Sequence, residues 1–144
     1  MKQRVHLITL GVQDIEKSAG FYDNIGWQRA ENCPPALVAY DLYGATLGLY
    51  SLDALHKDLG IKTMPGSGSM TLSYNVRQKS DVAIMLAKVK KAGATILKEP
   101  YDIFWGGHIA YFKDFDGHIW EIAYNPFSEL GSNDEFCWNG FQKQ

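Results

Sequence analysis

YFKDFDGHIWEIAYNP, residues 111–126, decides the fold. Two β-rich runs, 107–113 and 118–124, flank an Asp116-Gly117 pair. Asp-Gly suits the positive φ angles of a tight hairpin turn, so the runs are expected to pair antiparallel. Side chains alternate along a strand, which puts Glu121 on a face with Ile119 and Ala123, while Trp120, Ile122 and Tyr124 point the other way. Both faces are otherwise apolar, the pattern of a sheet with helices outside and a lined cavity inside. A lone carboxylate there is costly to bury without a cation or hydrogen-bond donors. Glu121 therefore points to a wet or liganded face.

Upstream of the hairpin the chain reads as a repeat. The strand-like run 5–12 leads to Asp14, a helix N-cap, and to a helix with Ile15, Ala19 and Tyr22 on one face. Gly26 ends it, and three short β runs follow near 27–31, 36–42 and 45–50, broken by Pro34, Pro35 and Gly44. The same order recurs with a strand at 69–76 and a helix capped by Ser80 that carries Val82, Leu86 and Val89. Lys88, Lys90 and Lys91 crowd its last turn, Gly93 stops it, and strands follow at 94–98, 107–113 and 118–124. A period of about half the chain excludes a short-repeat solenoid and predicts two similar modules in one domain. The modules span 4–50 and 69–126, joined by a linker over 51–68 with one helical turn. Residues 127–144 read as a tail that either packs through Phe136, Trp138 and Phe141 or frays.

Composition narrows the classes further. With 144 residues, 46% apolar and 21% charged, the chain is long enough to bury a core and too apolar for disorder. The net charge of −2 and the mixed signs along the chain lack the basic footprint of a nucleic-acid binder. No long apolar run or signal-type segment is legible, so a cytoplasmic location without membrane contact is expected. Cys33 and Cys137 are too few for a disulfide framework or a Cys-based zinc site.

The doubled strand-helix-three-strand order, with LITLGVQDIEKSAGFYDNIGW at the start and WGGHIAYFKDFDGHIWEIAYNP late, resembles the vicinal oxygen chelate superfamily. That superfamily includes glyoxalase I, extradiol dioxygenases and the fosfomycin- and bleomycin-resistance proteins. The resemblance covers about residues 4–126 and implies an α+β fold. It implies two βαβββ modules whose curled mixed sheet surrounds a cavity, and in metal-dependent members that cavity holds a divalent cation. Such modules often form homodimers.

The family's metal positions are tested residue by residue. A ligand His on the first strand of a module corresponds to Leu7 here, counted back from Asp14; His6 is one residue out of register, and a one-residue slip reverses the face. A β-bulge near Gly11 would bring His6 inward. Aligning 7–12 with 71–76, an offset of 64, gives Thr71, and aligning LGLY (47–50) with WEIA (120–123) sets Gly48 opposite Glu121. Of Leu7, Gly48, Thr71 and Glu121, only Glu121 is a usual ligand, whereas a catalytic divalent site normally needs three. The chain thus resembles the metal-free branch. No cofactor is expected, with a divalent metal at Glu121 the weaker alternative.

The expected function is binding of a small molecule in an aromatic-lined cavity by Glu121, Tyr111 and Trp105, with Thr71, Ser73, Thr9, Leu7 and Gly48 around them. Asn75 shares the same faces. Trp105-Gly106-Gly107 reads as an aromatic platform beside a gap that admits backbone or ligand. The alternative is a lyase, isomerase or dioxygenase-type enzyme using Glu121 and Tyr111 as acid and base. For each residue the plainer reading is core packing or a satisfied strand position. His6, His108 and His118 read as structural or surface residues, and His56 as solvent-facing.

Overall fold

A computed structural model describes residues 6–31, 33–42, 44–59 and 70–136. The chain separates into two compact units, Met1–Ser67 and Gly68–Gln144. The architecture is α+β, with a three-stranded mixed sheet in the first unit and a four-stranded mixed sheet in the second. Among the described residues no helix is long and apolar enough to cross a membrane.

The first unit runs β1 (Leu7–Val12), α1 (Ile15–Asn24), β2 (Leu37–Leu42), β3 (Ala45–Ser51) and α2 (Leu52–Leu59). Asp14 caps α1 as its sequence position predicts, its Oδ1 accepting a 3.0 Å hydrogen bond from the Lys17 amide. The sheet order is β1-β3-β2, with β3 parallel to β1 and antiparallel to β2. Val12, Tyr22, Tyr40, Leu47 and Leu49 are fully buried. Each stabilises the unit by roughly 1.5–3 kcal/mol through the apolar area it removes from water.

Three expectations are corrected in this unit. The strand expected near 27–31 contracts to a single bridge, Arg29↔Tyr40. Here Trp27 turns inward onto Tyr22 and Tyr40, and the Arg29 side chain reaches back to Asp23 and Glu16, so tertiary contacts displace a regular ladder. The linker carries more than a helical turn, because Leu52–Leu59 forms α2. A Cβ on Gly11 would stand 2.8 Å from Leu52 Cδ1 and 3.1 Å from Leu55 Cδ2, so glycine lets this helix close on β1. His56 on α2 is not solvent-facing either, since its Nε2 is buried.

The second unit runs β4 (Leu72–Asn75), α3 (Lys79–Lys91), β5 (Thr95–Asp102), β6 (His108–Lys113) and β7 (Ile119–Tyr124). Its order is β4-β7-β6-β5, a three-strand antiparallel meander whose last strand pairs parallel with β4. Ala110, Phe112, Trp120 and Ile122 are all buried on one sheet face, with Phe112 and Trp120 stacked at 6.3 Å. A helix that touches β5, β6 and β7 and buries Val82, Leu86 and Val89 belongs on that face. Its N-cap is Gln78 rather than Ser80: the Asp81 carboxylate accepts from the Gln78 amide at 3.2 Å, which starts the helix earlier.

The hairpin forms where the sequence places it, with a different turn. Only Gly117 takes a positive φ, 91°. Asp114 does the rest: its carbonyl accepts from the Gly117 amide at 3.2 Å, and its Oδ1 accepts from the amides of Asp116 at 3.0 Å and His118 at 2.8 Å. The start of the expected tail is tied down by Arg77, which donates to the carbonyls of Leu130 and Gly131 and pairs with Asp134. Phe136 is 45% exposed. Trp138 and Phe141 lie outside the described residues.

Candidate functional site

Glu121 sits in the middle of β7, between Ser73 on β4 and Tyr111 on β6, each its direct ladder partner. Direct partners share a face, so strand pairing alone brings the three side chains together. Ser73 Oγ donates to Glu121 Oε1, and the Tyr111 hydroxyl donates to Oε2 at 2.7 Å. Both oxygens are thus held. A carboxylate has about four lone-pair sites, so the trio leaves acceptor capacity for a further donor. Neither Tyr111 nor Glu121 is fully buried.

The Tyr111 phenol titrates well above its ordinary 10.0, first because burial disfavours the phenolate, then because its proton is bonded to Glu121. At neutral pH it is a donor to Glu121.

The other expected site residues fall elsewhere. Thr71 precedes β4 and is exposed. In the first unit Thr9 faces Gly48 across β1 and β3, and Leu7, itself 51% exposed, brings Cδ1 to 3.4 Å from where a Gly48 Cβ would stand. Leu37 Cδ1 approaches the same point at 3.2 Å, so aliphatic carbon occupies the place that Glu121 fills in the second unit. The β1–β3 register runs unbroken from Leu7 to Val12. The bulge that would bring His6 inward is absent, and His6 is exposed before the strand. Trp105 lies in the β5–β6 turn with its indole over Gly107, where a Cβ would stand 1.9 Å from Cη2. The gap read beside this aromatic is filled by the aromatic itself.

Sequence reading missed two residues on the Glu121 face. Lys98 is the ladder partner of Tyr111, and Tyr101 that of Ile109. Residues three apart in a regular strand face opposite ways, yet register shifts on either side of Lys98 turn both toward Glu121's face. Lys98 Nζ lies 3.5 Å from the Tyr101 ring centroid. Pro100 inside the strand was the available signal, because proline within a sheet marks an edge or a bulge.

The fit to a divalent metal is poor at Glu121. Its oxygens already accept from Ser73 and Tyr111, and the family's other positions here are an aliphatic side chain, a glycine and an exposed threonine. A separate group in the hairpin turn, Asp114, Asp116 and His118, offers ligand atoms within 4.8 Å of one another. Asp114 there is committed to the turn amides and to His118 Nδ1, 3.0 Å from its Oδ2. A further histidine, His108, places Nδ1 2.7 Å from Asp102 Oδ1, which also receives Lys79 at 2.6 Å. Hydrogen bonds from those two side chains hold the Asp102 carboxyl below its usual range, Lys79 contributing most.

The chain is similar over its length to known structures with this architecture. A glyoxalase-related enzyme from Fulvimarina pelagi superposes with a TM-score of 0.89 at 34% identity, covering 96% of this chain and 100% of the other. A hypothetical protein from S. aureus gives 0.75 at 29% identity, covering 86% and 94%. A glyoxalase/bleomycin resistance protein/dioxygenase family enzyme from Burkholderia phytofirmans PsJN gives 0.76 at 21% identity, covering 84% and 98%, a likeness of fold. No curated protein sequence matches significantly. The family model described as glyoxalase/bleomycin resistance protein/dioxygenase superfamily matches residues 4–122, and the chain belongs to that superfamily.

Proposed function

We propose that the chain binds a small molecule on the Glu121 face of the β4–β7 sheet, without a metal at Glu121, and that the ligand presents a cationic or amide N–H group to that carboxylate. The observation that carries the reading is the doubly anchored Glu121, both oxygens fixed by neutral donors and both retaining acceptor capacity. Removing a carboxylate from water is costly unless donors replace the water, and two neutral hydroxyls satisfy only part of its capacity. An N–H donor completes the set. The first unit, with Thr9, Gly48 and Ala39 at the equivalent ladder positions, offers no such group.

An enzyme is the second reading, favoured by the 34% identity to a protein described as a glyoxalase-related enzyme. In that case Glu121 is the proton acceptor and Tyr111 orients it.

A thermal-shift screen of amines, amidines and amides, followed by calorimetric titration of wild type and Glu121→Gln, tests the proposal. Loss of a charge-assisted hydrogen bond costs about 1.5–3 kcal/mol, roughly 10- to 150-fold in affinity. Equal affinity in the two proteins contradicts the binding role of Glu121. Conversion of the ligand by wild type, followed by mass spectrometry, establishes the enzyme reading instead.

A further inference from the structure

The second sheet carries one continuous polar row, with a residue from each strand: Ser73 on β4, Glu121 on β7, Tyr111 on β6 and Lys98 on β5. Each is the direct ladder partner of the next, so all four share a face. The row has a carboxylate near one end and an ammonium at the other. Strands lie about 4.8 Å apart, so the backbones of Glu121 and Lys98 are separated by roughly 10 Å, with the Tyr111 phenol between them.

Lys98 reaches this face only through the irregularity of β5. The register passes from Ile96↔Phe112 to Lys98↔Tyr111, leaving Leu97 as an extra residue, and then to Tyr101↔Ile109 across Glu99 and Pro100. Without those shifts Lys98 and Tyr101 would point to opposite sides. The contact of Lys98 Nζ with the Tyr101 ring confirms that they share one. That ring holds the ammonium over the sheet without neutralising it. Among the described residues no carboxylate forms an ion pair with Lys98. Glu121 in turn takes its hydrogen bonds from hydroxyls, leaving both charges of the row available.

We infer that the ligand is a zwitterion, with a cationic amine at Glu121, an anionic carboxylate at Lys98 and a flat apolar body across Tyr111. This rests on the binding role proposed for Glu121 and adds Lys98 as the residue that selects for the second charge. A ligand with an amine alone satisfies one pole, and an anion alone is repelled by Glu121.

Calorimetric titration with 4-(aminomethyl)benzoate, benzylamine and benzoate, against wild type, Lys98→Gln, Lys98→Arg and Glu121→Gln, separates the poles. Wild type is expected to prefer the zwitterion to benzylamine by about threefold or more, the scale of an exposed charge pair. Lys98→Gln abolishes that preference, and Lys98→Arg restores it. Glu121→Gln weakens both amines about tenfold or more. Undiminished zwitterion affinity in Lys98→Gln, with Glu121→Gln still weakened, overturns the role of Lys98 and leaves the Glu121 reading intact. Indifference of both amines to Glu121→Gln, or no binding of either, overturns the two together. Lys98 is exposed, so thermal melting of the variants is expected to match wild type.

Discussion

Tyr111 and Glu121 are cross-strand partners on β6 and β7, joined by a 2.7 Å hydrogen bond from the phenol to Oε2. The ladder places the two side chains on one face, and the Ser73 hydroxyl from β4 holds the other carboxylate oxygen. A charge in the middle of an apolar strand is thereby fixed in direction and partly satisfied. What remains of its acceptor capacity is the part assigned to the ligand in the proposed function.

The Tyr111 phenol is held protonated past the ordinary 10.0, chiefly by burial and by Glu121. A pKa raised on folding gives stability that is complete below the unfolded value and is lost as pH rises through the folded one. Ultraviolet titration of wild type against Tyr111→Phe is expected to show one late-ionising phenol fewer in the variant. Identical late titration in the two proteins would contradict a late-ionising Tyr111.

Asp102 runs the other way, its pKa lowered first by Lys79 and then by His108. A depressed carboxyl contributes stability above the unfolded pKa and loses it as pH falls through the folded one. Lys79→Met should raise the Asp102 midpoint toward the ordinary carboxylate range, read from its side-chain carbon by NMR. An unmoved midpoint would assign the shift to His108 alone.

In the hairpin turn, Asp114→Ala leaves two amides without their carboxylate acceptor and is expected to cost about 1–3 kcal/mol in denaturant unfolding. Asp114→Asn keeps an acceptor oxygen and should cost less. Equal stability of all three proteins would show that the carboxylate does not hold the turn.

How much of this was legible follows from what each feature depends on. The offset of 64 carries Thr9 onto Ser73, and the alignment of LGLY with WEIA carries Gly48 onto Glu121. Both pairs, Thr9↔Gly48 and Ser73↔Glu121, are ladder partners. Strand period and repeat are local properties, so the sequence carries them openly. The Ser73–Glu121–Tyr111 contact follows from them. Lys98 was hidden because its face depends on register shifts in β5, which strict alternation cannot anticipate. Trp105 misled because its composition does not tell which way the indole folds, and it folds onto Gly107.

The donor set at Glu121 also bears on metal content. Dialysed wild type and Glu121→Gln are expected to hold the same amount of zinc, nickel, manganese and iron by elemental analysis. About one metal per chain, lost in the variant, would contradict a metal-free Glu121.

The most direct measurement is the side-chain carboxyl carbon shift of Glu121, followed by NMR while benzylamine is added. A charge-assisted bond to Glu121 predicts a saturable shift of that carbon, with the Ser73 and Tyr111 signals moving along the same curve. A Glu121 carboxyl signal that stays fixed up to the solubility limit of the amine would contradict the account.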